Sequence, residues 1–246
     1  MEVAVLGLGE AGGRIAADLV AAGCTVRGWD PARRHATVTN ASSAGEAVSG
    51  ANVVLAINAA AVALDAARRV SEHFDGGALY ADLNTTAPQV KRELAELLPV
   101  EFVDVALVGP VPGFGLATPA LASGAGAERF AALFRPLGMP VEVVGPHPGE
   151  AAGLKLLRSV FMKGVAAAAI ESLEAAAAAG VPERQHADIA AVLGEELLER
   201  LLTGSRVHAV RRVDEMNAAA AYLRELGVEP RVASAAAAWL EHLRDA

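Results

Sequence analysis

The sequence contains one cysteine, Cys24, in 246 residues, so no disulfide can close within the chain and nothing calls for an oxidising compartment. A lone thiol of this kind reads as packing. Its histidines, His35, His73, His147, His186, His208 and His242, are scattered with no two at metal-site spacing, and no metal is expected. Basic residues are in deficit, 21 Lys and Arg against 29 Asp and Glu for a net charge of −8, which argues against a partner held by neutralising phosphates, such as nucleic acid. The doublets Arg33–Arg34, Arg68–Arg69 and Arg211–Arg212 then read as solvated helix faces. A membrane-spanning run is missing too: the longest weakly polar stretch, Ala51 to Ala67, is broken by Asn58 and reads as a strand followed by a helix. Met1-Glu2-Val3-Ala4-Val5-Leu6 has neither the positive start nor the cleavable apolar run of a signal peptide, so the expectation is a cytoplasmic protein without a membrane partner. No Gly-x-Ser-x-Gly elbow occurs, and Ser123 in Ala-Ser-Gly lacks that context, which argues against a serine hydrolase.

What remains is a chain 53% hydrophobic, with ample material for a core. Its first half alternates branched-aliphatic runs with alanine-rich helical stretches, the pattern of a parallel sheet covered by helices, and so predicts an α/β doubly wound Rossmann domain. Strands are expected at Glu2–Leu6, Thr25–Trp29, Val53–Ile57, Leu79–Asp82, Glu101–Val105 and Val141–Val144. Helices are expected at Gly12–Ala22, Ala60–Phe74, Pro88–Leu98 and Ala127–Phe134, with a weaker unit at Val38–Val48. After Gly145-Pro146-His147-Pro148-Gly149, turn signals thin out and alanine, leucine and glutamate recur at helical spacing. The expectation is a boundary there, with a dinucleotide-binding domain over 1–148 and an all-helical substrate and dimerisation domain over 149–246. Its helices are expected at Glu150–Ala179, stopped by Gly180, and at Pro182–Leu202, Ser205–Leu226, stopped by Gly227, and Pro230–Arg244. Alanine-rich faces permit close helix packing, and a homodimer through this half is expected.

Chemistry enters with Gly7-Leu8-Gly9-Glu10-Ala11-Gly12, a Gly-x-Gly-x-x-Gly run that follows a strand and opens a helix. Gly7 permits the tight turn, Gly9 lets a pyrophosphate approach the backbone, and Gly12 lets helix and strand pack closely. The helix N-terminus adds unpaired amides for the negative charge. Asp30, eighteen residues past Gly12 at the end of the second strand, can accept hydrogen bonds from ribose hydroxyls and would repel an added 2′-phosphate. That favours NAD over NADP, although Arg33 and Arg34 keep NADP open, and Asp30 also fits a plain cap before Pro31.

With these residues in place, the sequence resembles the beta-hydroxyacid dehydrogenase family, which includes 3-hydroxyisobutyrate and 6-phosphogluconate dehydrogenases. The resemblance rests on the glycine turn, on Asp82-Leu83-Asn84-Thr85-Thr86-Ala87-Pro88, on the stretch from Asp104 to Val111, and above all on Gly149 to Ser159. The runs RSVFMKG and RRVDEMNAAAAYLRELGVEP resemble a subgroup with a compact helical C-terminal domain. By position, the resemblance implies cofactor contacts at Asn58, Ala59 and Thr85 beside the glycine turn and Asp30. It also implies that Lys155, near the start of the second domain and close to the interdomain cleft, moves the proton. On helical spacing alone Lys155 reads as a snorkelling surface lysine; the family likeness is what assigns it. Gly109, Pro110, Arg158 and Ser159 are the implied substrate residues. Two departures bear on them, since family members commonly carry asparagine where Ser159 stands and Ser-Gly-Gly where Gly109-Pro110-Val111 stands. The glycine-proline stretch through Gly115 offers backbone amides to a carboxylate, or is a surface turn.

The function expected is hydride transfer between NAD or NADP and a small hydroxy acid, with Lys155 as proton shuttle and Arg158 as carboxylate anchor. Two alternatives are an imine or keto reductase of a biosynthetic pathway and a non-catalytic dinucleotide sensor.

Overall fold

The computed structural model describes residues 1–245. The chain divides into two compact units, Met1–Lys155 and Leu156–Ala246.

The first unit is built on eight strands: β1 (Glu2–Leu6), β2 (Thr25–Trp29), β3 (Thr39–Asn40), β4 (Val53–Ala56), β5 (Leu79–Asp82), β6 (Glu101–Leu107), β7 (Ala120–Ser123) and β8 (Val141–Gly145). They form one sheet in the order β3-β2-β1-β4-β5-β6-β7-β8, parallel throughout except where β7 runs antiparallel to β6. Its helices are α1 (Glu10–Ala21), α2 (Ala44–Val48), α3 (Ala63–Val70), α4 (Pro88–Leu97), α5 (Val111–Phe114) and α6 (Ala127–Phe134). Strand side chains alternate between faces, and the two cores follow that parity. Val3, Val5, Val53, Leu55, Leu79 and Val103 point toward Ile15, Ala16 and Leu19 of α1 and Phe130 and Phe134 of α6. Ala4, Leu6, Val54, Tyr80 and Phe102 point the other way, toward α2, α3 and Leu94 of α4. With both faces covered, the central strands are apolar at every position, as in β4, which is buried throughout. Each fully buried Leu, Val or Phe contributes about 1.5–3 kcal/mol. Cys24 lies buried in the first of these cores, consistent with its reading as packing.

The second unit is helical. It takes most of α7 (Glu150–Ala178), with α8 (Pro182–Leu193), α9 (Glu195–Val207), α10 (Ala209–Glu225) and α11 (Arg231–Asp245). Gly180, at φ +76, closes α7 in a Schellman arrangement, with Val181 N donating to Ala176 O and Gly180 N to Ala177 O. Gly227 ends α10 in the same way. Ala219 and Ala220 of α10 pack with Ala233, Ala236 and Ala237 of α11, and a Cβ on Gly164 would lie 2.5 Å from Val232. Small side chains therefore set the helix spacing. Among the described residues, no helix is long and apolar enough to cross a membrane.

Several expected elements are corrected. The helix expected at Ala60–Phe74 begins as a single 3-10 turn over Ala60–Val62 and ends at Val70. The unit at Val38–Val48 is the short edge strand β3 followed by α2. Strand β7 was not expected: Ala-Leu-Ala-Ser has too little hydrophobic contrast to stand out. In the second unit, Gly194 at φ +81 divides the stretch from Pro182 to Leu202 into α8 and α9, and His208 interrupts the helix expected over Ser205–Leu226.

Candidate active site

The sheet order reverses at β1: β2 and β3 lie to one side, β4 and β5 to the other. In open sheets of this kind a ligand sits at the carboxyl ends of the strands where the order reverses. The loops after β1, β2, β4 and β5 carry Gly7–Gly12, Asp30, Asn58 and Ala59, and Thr85, so the sequence-predicted cofactor residues meet along one sheet edge.

The three glycines differ in what surrounds them. At Gly7, φ is +103 and a Cβ would lie 2.2 Å from Ile57 O; at Gly12 a Cβ would lie 1.9 Å from Gly7 O. The protein's own backbone excludes a side chain at both. At Gly9 a Cβ would meet only the Arg33 guanidinium, at 3.8 Å, and the backbone there is ordinary, φ −67 and ψ −164. Nothing in the chain itself requires glycine at position 9. Gly9 is also the N-cap of α1 and supplies no side-chain cap, which leaves the N-terminus of Glu10 and Ala11 to be satisfied from outside. A cradle that a Cβ would fill, at a helix N-terminus, fits a dinucleotide pyrophosphate.

Asp30 is engaged by this turn. Its Oδ2 accepts from Leu8 N at 2.9 Å, and its Oδ1 accepts from Ala32 N at 2.9 Å and Arg33 N at 3.0 Å. The carboxylate thus ties the end of β2 to the glycine turn and closes a local turn over Pro31; no helix follows it, so the helix cap left open by the sequence is not what Asp30 forms. Asn58 Oδ1 accepts from Asn84 Nδ2 at 2.8 Å, joining the loop after β4 to the loop after β5. Ala59 is the exposed N-cap of the 3-10 turn.

Lys155 closes the arrangement within the first unit. Its Nζ donates to Thr85 Oγ1 at 2.7 Å, so the lysine assigned to proton transfer and the threonine assigned to the cofactor are direct partners. Neither periodicity nor spacing foretold that pairing. Behind them lies a buried ionic cluster that the sequence reading missed. Lys91 Nζ, from α4, lies 2.7 Å from Asp82 Oδ2 and 3.0 Å from Asp104 Oδ1, and donates to Asp82 O at 2.8 Å. These three side chains are at most 1% exposed. Burial alone would push the Lys91 ammonium down, but the flanking carboxylates outweigh it and hold it above its ordinary 10.5. Burial pushes the Asp82 carboxyl up against the pull of Lys91. The available signal was an aspartate ending one strand and another inside the next, since an uncompensated carboxylate in a buried sheet demands a cation.

The glycine-proline stretch folds into a short helical turn. Gly109 and Pro110 are exposed, and Pro110 caps the short helix α5, its carbonyl accepting from Gly113 N and Phe114 N. Leu116 N donates to Asp18 Oδ2 at 2.8 Å, and Gly115, at φ +53, leaves no room for a Cβ against that carboxylate. The segment is pinned to α1, and these amides are already committed.

In the second unit, Arg158 is exposed and Ser159 is 4% exposed. The Ser159 hydroxyl donates to Glu215 Oε1 and accepts from Lys163 Nζ at 3.1 Å, and Lys163 donates to Glu215 at 2.9 Å. Burial holds Lys163 below its ordinary 10.5 despite Glu215. Lys163, which lies farther along the helix and reads as structural in the sequence, and Glu215, which the sequence reading did not single out, therefore decide what Ser159 can offer. Replacing Glu215 by Gln strips a partly buried ammonium of its counterion. Thermal or denaturant unfolding should show a loss of about 1–3 kcal/mol, and a change below about 0.3 kcal/mol would mean that water screens this pair. Elsewhere in this unit, His186, Glu195 and Glu199 bring ligand-type atoms within 4.8 Å of one another. Both carboxylates are exposed, and the histidine ring nitrogen lies 3.2 Å from Glu199, the arrangement of a solvated surface hydrogen bond.

Residues 2–144 match the family described as the NAD binding domain of 6-phosphogluconate dehydrogenase, and residues 176–243 match a domain of unknown function, DUF1932. A conserved protein of unknown function, reported as structurally similar to 3-hydroxyacid dehydrogenases, is 31% identical with a TM-score of 0.78, over 100% of this chain and 97% of that one. An uncharacterized 28.5 kDa protein of Methanothermus fervidus is 29% identical over 174 residues, which span 69% of this chain and 66% of that protein, just under two thirds of its length. At 20% identity, 3-hydroxyisobutyrate dehydrogenase of Mycobacterium tuberculosis shares the fold, with a TM-score of 0.83 over 99% of this chain and 94% of that one. The glycine cradle, the Rossmann sheet order and the match over residues 2–144 thus agree: the chain belongs to the family of the 6-phosphogluconate dehydrogenase NAD-binding domain, joined to a helical DUF1932 region.

Proposed function

We propose that this protein is an NAD(P)-dependent oxidoreductase that interconverts a small hydroxy acid and its carbonyl form, with Lys155 as the proton carrier. The observation that carries the reading is the 2.7 Å bond from Lys155 Nζ to Thr85 Oγ1, which holds the lysine amino group at the sheet edge that also bears the glycine cradle.

A bound nicotinamide accepts or supplies the hydride. The chain's residues do the rest. Gly9 and the N-terminus of α1 receive the pyrophosphate, and Asp30 fixes the shape of that turn while facing the ribose with negative charge. Hydride leaves an alcohol carbon readily only if the hydroxyl proton departs as well. As the neutral amine Lys155 takes that proton in oxidation, and as the ammonium it returns it in reduction, while Thr85 Oγ1 accepts from either form and limits where Nζ can stand. Arg158, one helical turn farther along α7, pairs with the substrate carboxylate.

Asp30 also carries the expected cofactor choice. Burial works against its ionisation, but the amides of Ala32, Leu8 and Arg33 more than compensate and hold the carboxyl below its ordinary 3.8. Since the folded value is depressed, the stabilisation of the turn is complete above 3.8 and is lost as pH falls through that lower value. At neutral pH the charge is therefore present to oppose a 2′-phosphate. Titration calorimetry should show NADH binding more tightly than NADPH, and Asp30→Asn should narrow that gap by about tenfold, or 1.4 kcal/mol. A wild-type preference for NADPH would overturn the choice. The activity itself is tested by a panel of hydroxy acids, keto acids and imines run in both directions. Turnover of hydroxy acids by the wild-type protein is the expected result, and turnover confined to imines would overturn the substrate class.

A further inference from the structure

Proton transfer of this kind depends on distance, yet Lys155 stands near the start of a 29-residue helix whose preceding residues, Pro148 and Gly149, carry no side-chain oxygen to cap it. The caps come from the sheet. Asp104 Oδ2, on β6, accepts from Gly149 N at 3.2 Å and from Ala152 N at 2.9 Å, and Ser123 Oγ, on β7, accepts from Ala151 N at 3.0 Å while donating to Asp104 at 3.3 Å. The other oxygen of Asp104 is held by Lys91, and Lys91 is held by Asp82. Asp82 Oδ1 accepts from Asn84 Nδ2, next to Thr85, and Thr85 receives the proton donor of Lys155. The contacts close a ring from the lysine, through its helix start, across the interior, and back to the lysine's own partner.

We infer that Asp104, Lys91 and Asp82, together with Ser123, are positioning residues for Lys155: a buried ionic strut that docks the start of α7 and fixes the amine against Thr85. The inference rests on the oxidoreductase reading above. A stability role explains the strut poorly, because desolvating one lysine and two carboxylates costs about as much as their attraction returns, and well-packed apolar residues commonly serve a core better. Direction is what charge adds here. One carboxylate addresses the helix amides through Oδ2 and the ammonium through Oδ1 at once, where apolar packing would let the helix start slide. Lys91 itself is sealed, at 1% exposure, and so orients rather than exchanges protons.

The test uses the full-length protein with Asp104→Asn, Ser123→Ala and, as a control that loosens the packing beside the strut without touching its polar contacts, Val103→Ala. Asparagine can face its carbonyl to the helix amides or to Lys91, but not to both. Lys91, Lys155 and Lys163 are the lysines of the chain, so each ε-methylene is readily assigned in carbon-13 spectra. Relative to the control, Asp104→Asn and Ser123→Ala should raise amide exchange at Ala151 and Ala152 about tenfold and displace the Lys155 titration midpoint. They should also lower kcat about tenfold at unchanged cofactor affinity, with the pH-rate limb following the displaced midpoint. If both variants behave as Val103→Ala does in exchange and titration, the strut has no positioning role. If Asp104→Asn does not fold, Ser123→Ala decides by the same criteria. Exchange and titration need no substrate, so a chain without dehydrogenase activity would refute the function above and leave this reading separately decidable.

Discussion

Replacing Lys155 by Met should lower kcat by roughly 10²–10⁴-fold, the range that positioned general acid–base groups supply. Cofactor affinity, by contrast, should stay within about threefold, or 0.7 kcal/mol, because the amine acts on the substrate's proton rather than on the phosphates. Methionine matches the length and the apolar stem of lysine, so the helix start keeps its packing and the loss isolates the ammonium. Thr85→Val separates position from chemistry. It removes the oxygen that accepts from Lys155 at 2.7 Å but leaves the amine present, and should cost less than the lysine variant. The measurement is steady-state turnover beside direct cofactor titration. Full turnover in Lys155→Met would end the proton-carrier role. Tight cofactor binding by the wild type, with no turnover of any substrate, would instead favour a dinucleotide sensor.

Much of this was legible in the residues because local rules and the final fold agree. The glycine turn, the strand parity that splits Val3 and Val5 from Ala4 and Leu6, and the Gly180 stop all depend on short-range sterics or on period-2 burial. What stayed hidden depends on partners distant in sequence. Lys91 looks like a surface residue of an amphipathic helix until the sheet brings Asp82 and Asp104 to it. Ser159 and Glu215 are 56 residues apart, and their bond exists only once α10 packs along α7. Strand β7 failed for a different reason: alanine is as much at home in a helix, and only its pairing with Leu107 through Asp104 makes Ala120–Ser123 extended.

Two alanine substitutions three residues apart in that glycine turn, at Gly9 and Gly12, should give opposite results. Gly12→Ala places a Cβ 1.9 Å from Gly7 O, and the obstacle is backbone that is itself fixed, with Gly7 N donating to Trp29 O at 2.8 Å. Neither strand nor helix can yield cheaply, so the variant should lose about 3 kcal/mol or more of stability. Alanine's better helix propensity, about 1 kcal/mol, is too small to offset this. Gly9→Ala meets no such obstacle: its conformation suits any residue, and a new methyl has only Arg33 at 3.8 Å. Its melting temperature should therefore stay near that of the wild type. The methyl would instead occupy the space where phosphate oxygens must approach the amides of α1, and affinity for NADH should fall roughly 100-fold, or about 2.7 kcal/mol. Differential scanning calorimetry and cofactor titration on the same two proteins give the answer. If Gly9→Ala binds NADH as the wild type does, the pyrophosphate does not pass over that residue, and the glycine cradle has been assigned the wrong ligand.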